Sequence, residues 1–128
     1  MIKIMFVDDE DNITDPCVIF LKALGYDAYG AKNSEEAFEI IEKISPDIAF
    51  LDVNLRGKYT GIDVLEKAIS LHPKIQIAII TGRRDEDLLN KCLEKGAKLV
   101  VIKPITCTKL KELIENFVKK IAKKKDLK

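Results

Sequence analysis

Apolar runs of strand length recur along this chain, and four of them end on isolated polar residues. IKIMFV ends at Asp8 and Asp9, DIAFL at Asp52, QIAII at Thr81 and LVVI at Lys103. A short run apolar at consecutive positions and bounded by loop residues reads as a strand buried on both faces. Such strands belong to parallel sheets covered by helices, where ligands bind outside the carboxyl ends of the strands. Separate segments therefore deliver three carboxylates, a hydroxyl and an ammonium to one sheet edge. Packing alone does not require that convergence.

Strand-like and helix-like segments alternate five times. Strands are expected over 2–7, 27–31, 48–51, 76–80 and 99–102. The first helix would carry Ile13, Cys17, Phe20, Leu21 and Leu24 on one face, and Pro16 makes it start late, around Asp15, or bend. The second opens at Asn33-Ser34-Glu35-Glu36, a capping sequence with acidic residues against the helix dipole, and runs to about Ile44. The third is expected over 61–71. The fourth follows Arg84, with Asp85, Glu86 and Asp87 in its first turn, and stops before Gly96. The fifth starts near Thr106 and carries the stripe Leu110, Leu113, Ile114, Phe117 and Ile121. Repeated strand–helix units with right-handed crossovers give an α/β fold with a doubly wound parallel sheet.

A chain of 128 residues, 47% hydrophobic and 34% charged, fits one soluble domain with a real core. We place that domain at 1–121, followed by a lysine-rich tail at 122–128. No apolar run approaches the roughly 20 residues of a membrane span, and the N-terminus lacks a signal-peptide pattern. A net charge of +1 names no nucleic-acid or membrane partner. The lysines of the tail suit a helix C-terminus and a solvated end. Cys17, Cys92 and Cys107 have no metal-like spacing and read as buried or half-buried free thiols of a reducing, cytoplasmic protein. His72 has no partner suited to a metal or a triad.

Like charges gathered at one edge need neutralising, since each carboxylate pair about 4–5 Å apart costs roughly 3–4 kcal/mol at an effective dielectric near 20. Oxygen-only ligands select Mg²⁺, Mn²⁺ or Ca²⁺, and Mg²⁺ commonly bridges carboxylates to a phosphate. Thr81 and Lys103 supply donors for the remaining phosphate oxygens. Phosphoryl transfer needs mainly positioning and charge neutralisation, and a carboxylate can itself become an aspartyl phosphate.

At these residues the chain resembles the receiver domain of two-component response regulators. The resemblance covers nearly the whole chain and rests on an ordered set: Asp8-Asp9, Asp52, Thr81-Gly82 and Lys103-Pro104, with Gly25-Tyr26 and Gly96-Ala97 at the usual spacings. It implies a flavodoxin-like sheet of order 2-1-3-4-5 and a cytoplasmic phosphoprotein of the stand-alone type, with no output domain. It implies Asp52 as phosphoacceptor, with Thr81 as the switch hydroxyl and Lys103 as the phosphoryl partner. Asp9, Asp52 and the Asn54 carbonyl would bind Mg²⁺ directly and Asp8 through water, with Mn²⁺ able to substitute. The Lys103–Pro104 bond is often cis in the family. The implied partners are a sensor histidine kinase or histidine phosphotransfer protein, and an effector reading the fourth helix, fifth strand and fifth helix. Catalysis beyond self-phosphorylation and autodephosphorylation is not implied.

This chain departs from the family pattern in three places. Arg56 stands where proline is common, in a loop one residue longer than usual before Gly61. Val100 stands where many members have an aromatic, so a conformational signal is expected to rely on Thr81 and the loop after it. Arg83 and Asn54 face one mouth and are expected to tune dephosphorylation. A Mg²⁺-dependent phosphatase with an aspartate nucleophile would usually carry a second Asp at position 54. A scaffold that had lost phosphorylation would not need Asp8, Asp9, Thr81 and Lys103 together.

Overall fold

Every other residue of each central strand points to the same face, and this alternation divides the core in two. The computed structural model describes residues 1–55 and 57–126, so Arg56 and the last two residues lie outside it. Its elements alternate throughout: β1 Lys3–Val7, α1 Asp11–Ala23, β2 Asp27–Ala31, α2 Ser34–Ile44, β3 Ile48–Leu51, α3 Gly61–Leu71, β4 Gln76–Thr81, α4 Glu86–Glu94, β5 Leu99–Ile102 and α5 Cys107–Asp126. The five strands form one sheet of order β2-β1-β3-β4-β5, parallel at every pairing. Met5, Val7, Ala49, Leu51, Ile77 and Ile79 pack with Ala37 and Ile41 of α2, Val64 and Leu65 of α3 and Cys92 of α4. Ile4, Phe6, Ile48, Phe50, Ala78 and Ile80 pack with Leu21 of α1 and Leu110, Ile114 and Phe117 of α5. Phe50 links Phe6 to Phe117, with ring centroids 5.9 and 6.3 Å away.

The first helix begins at Asp11, which rules out the late start around Asp15, one of the two readings that Pro16 allows. The Glu10 carbonyl accepts from the Ile13 and Thr14 amides, both at 3.0 Å. The Thr14 hydroxyl also donates to the Asp8 carbonyl at 2.6 Å. These bonds start the helix directly after β1, and Pro16 sits inside it. Asp85 is the N-cap of α4, accepting from the Leu88 amide at 3.3 Å, and so precedes the first turn in which it was expected. The fifth helix continues to Asp126, so residues 122–126 prolong it. Asn33 caps α2 as its sequence suggested, accepting from the Glu36 amide at 2.8 Å.

Two local features aim the loop after β3. Thr60 and Asp63 form a reciprocal capping box at the start of α3. Gly61 then lies so close to β3's extension that a Cβ there would meet the Asp52 carbonyl oxygen at 2.4 Å and Val53 Cα at 2.5 Å. Both are backbone atoms and cannot step aside. Gly61→Ala is therefore expected to destabilise the fold by about 1–3 kcal/mol or more, as overpacking does. A lowered urea midpoint with an unchanged slope checks this.

Candidate functional site

Backbone hydrogen bonds carry the strand register past the strand ends and so set where the polar residues emerge. The Asp8 amide donates to Ala31 O at 3.1 Å, the Asp52 amide to Val7 O at 3.0 Å and the Lys103 amide to Thr81 O at 2.8 Å. Asp52 is thereby tied to the end of β1, and Lys103 to the end of β4. From β5, at the sheet edge, the Lys103 side chain reaches inward to both carboxylates. Its Nζ lies 2.6 Å from Asp8 Oδ2 and 2.6 Å from Asp52 Oδ2. Asp8 is 1% exposed, Asp52 5% and Thr81 0%.

The second oxygen of each carboxylate is held by a nearby amide. Asp8 Oδ1 accepts from Glu10 N at 3.0 Å, and Asp52 Oδ1 from Asn54 N at 2.9 Å. Thr81 Oγ1 accepts from Arg83 N at 3.2 Å, and the hydroxyl keeps an O–H to donate. Burial alone would pull the Lys103 ammonium below its usual 10.5. Its hydrogen bonds to Asp52 and Asp8, with their charges, outweigh that and hold it above. Two buried carboxylates nonetheless face one ammonium, and the half-buried Asp9 adjoins them.

Of the residues singled out in the sequence, Asp8, Asp52 and Lys103 are in direct contact. Asn54 joins through its amide, and Thr81 through its backbone carbonyl. Arg83 donates from Nη1 to Asn54 Oδ1 at 3.3 Å, so these two do share one mouth. Val100 packs half-buried against the core beside Ile79, with no ring at that position. The Lys103–Pro104 peptide bond is cis. His72 Nε2 pairs with the Ile41 carbonyl at 2.8 Å, a structural role. Cys92 is buried and Cys17 half-buried, but Cys107, expected inside, is exposed at the start of α5.

Sequence reasoning missed two supports. One is the Thr14–Asp8 bond described above. The other is a clamp on the β3–α3 loop, where Tyr59 N donates to Ser34 Oγ at 3.1 Å and Lys58 N to Glu35 Oε1 at 2.7 Å. The clamp joins residues remote in the chain, and the acidic opening of α2 already had a sufficient explanation as a cap.

A hard divalent cation fits this donor set. Each carboxylate has about four acceptor positions, of which the contacts above use two on Asp8 and two on Asp52. The donors are all oxygen, and one ammonium leaves negative charge over. Among the described residues no three acidic, imidazole or thiol side chains are gathered at metal-binding distances; the two buried carboxylates both contact Lys103.

Removing the ammonium leaves two buried carboxylates uncompensated. Lys103→Met is expected to cost roughly 2–4 kcal/mol, somewhat under a fully enclosed pair because the lysine side chain keeps 19% of its surface. A raised folded-state pKa means the Lys103 contribution is fully present below pH 10.5 and is lost as pH rises through the higher folded value. Urea unfolding of both proteins across alkaline pH should show their stability gap narrowing only above that point.

The description of the response regulator receiver domain matches residues 4–115. The cyclic di-GMP phosphodiesterase of Thermotoga maritima is 31% identical over 102 residues, covering 80% of this chain but only 27% of that protein. Sporulation initiation phosphotransferase F of Bacillus subtilis is 26% identical over 116 residues, covering 91% of this chain and 93% of that one. The crystal structure of a CheY-like receiver domain protein from Methanospirillum hungatei superposes with a TM-score of 0.91 at 27% identity, over 97% of this chain and 98% of that one.

Proposed function

The chain belongs to the response regulator receiver domain family of two-component signalling, and from that premise we propose that Asp52 is its phosphoacceptor. A partner histidine kinase or histidine phosphotransfer protein would present the phosphoryl group. The observation that carries this reading is the Lys103 ammonium held 2.6 Å from both Asp52 and Asp8 at the carboxyl edge of the sheet. The arrangement pre-positions a cation beside an almost fully buried carboxylate.

An Asp52 carboxylate oxygen attacks phosphorus, the new O–P bond forms, and the N–P bond of the donor breaks with its electron pair returning to the imidazole. Lys103 then faces a group carrying about −1.5 to −2 charges in place of a carboxylate. Thr81, whose hydroxyl sits at the neighbouring strand end, donates to a phosphoryl oxygen. Receiver domains bind Mg²⁺ at the phosphorylation site, and here Asp9, Asp52 and the Asn54 carbonyl would hold it, with Asp8 through water. A cation held there would offset charge on the phosphoryl oxygens, and Mn²⁺ has similar ligand preferences.

We read the chain as a regulatory switch and not a metabolic enzyme, acting in the cytoplasm. Sporulation initiation phosphotransferase F, matched over 93% of its length, supports that reading. No described helix is long and apolar enough to cross a membrane. The proposed readout face runs from α4 through β5 to α5, and it takes a protein effector and not nucleic acid.

Acetyl phosphate with Mg²⁺ is expected to add one phosphoryl mass to the wild type and none to Asp52→Asn. An adduct that persists in the Asn variant would remove Asp52 from this role.

A further inference from the structure

A continuous chain of contacts leads from Asp52 to the start of α4, and Arg83 is its central link. The Asn54 amide donates to Asp52 Oδ1 at 2.9 Å. The Asn54 side-chain oxygen accepts from Arg83 Nη1 at 3.3 Å, and Arg83 Nη2 reaches Asp85 Oδ2 at 3.5 Å. The other oxygen of Asp85 caps α4 by accepting from Leu88 N at 3.3 Å. The Arg83 backbone amide meanwhile donates to Thr81 Oγ1 at 3.2 Å. One arginine therefore touches Thr81 at the end of β4, Asn54 in the loop after β3 and the cap of α4.

We propose that Arg83 is the positioning residue that couples the charge on Asp52 to α4, by exchanging its guanidinium between the Asp85 carboxylate and the phosphorylated aspartate. The proposal rests on the reading of Asp52 as phosphoacceptor. Three observations carry it.

The Arg83–Asp85 pair is long and about half exposed, with side-chain exposures of 46% and 48%, so little holds it together. A phosphoryl dianion offers the fork of a guanidinium a geometrically matched and more highly charged acceptor. The element at the far end is loosely held too, since α4 has nine residues and buries only Cys92. With valine at position 100, no aromatic rotamer competes for this task.

Departure of Arg83 leaves the Asp85 carboxylate without its counter-charge while it still accepts from Leu88. The Leu88 amide resonance reports that change directly. The experiment adds beryllofluoride with Mg²⁺ to the full chain at a concentration that saturates each protein, with binding read by fluorine resonances and coupling by the Leu88 amide shift. In the wild type the amide shifts on binding. In Asp85→Asn, which keeps a capping oxygen but no charge, and in Arg83→Ala, the shift is lost; Arg83→Lys restores part of it. A full Leu88 shift in saturated Arg83→Ala or Asp85→Asn overturns the coupling and leaves the acceptor reading standing. A wild type that binds no beryllofluoride overturns both.

Discussion

One ammonium facing two buried carboxylates is the interaction on which this site depends. Lys103 bonds Asp8 and Asp52 at equal distances of 2.6 Å, from a strand that neighbours neither. Two like charges about 4 Å apart repel by roughly 4 kcal/mol at an effective dielectric near 20, and a shared cation turns that repulsion into cohesion. The match between the two carboxylates and the ammonium is incomplete by one charge. The shared ammonium thus holds this edge of the sheet together.

Sheet topology explains why these residues meet. The chain lays β2 on one side of β1 and then crosses to place β3 on the other, so the helices after β1 and β3 lie on opposite faces. A crevice opens where the winding reverses, outside the carboxyl ends of β1 and β3. Asp8 and Asp52 are the first residues beyond those two strands. Their burial follows from continued ladder bonding, since the Asp52 amide still donates to Val7. Long separation in sequence costs nothing here, because the parallel register fixes the strand ends side by side.

Much of this was legible in the residues alone, for a physical reason. A strand buried on both faces must be apolar at every position, so IKIMFV and QIAII declare themselves, and the polar residue that ends each run marks the sheet edge. Asn33 likewise acts through local chemistry, which the sequence displays. Less legible was whatever turned on three-dimensional geometry rather than residue type. Pro16 left a late start or a bend open for the first helix, and the Thr14 hydroxyl on the Asp8 carbonyl anchors an early start. Asp85 looked like one of three first-turn acids, and only coordinates separate the cap from its neighbours. The exposure of Cys107 depends on how α5 meets the sheet, which its own sequence does not state.

The two loops flanking Asp52 and Thr81 are held very differently. The β3–α3 loop is pinned to α2 through Ser34 and Glu35, Tyr59 rests 4.9 Å from the Phe38 ring, and Gly61 seats α3 against the backbone of Asp52 and Val53. Moving it would break several contacts at once. The β4–α4 loop is exposed from Gly82 to Asp87, and its side-chain ties to the mouth are those of Arg83. Local stability varies across a fold, and moving elements are drawn from its weakly held parts. The surroundings of Asp52 are therefore held by many contacts on the α3 side and by few on the α4 side.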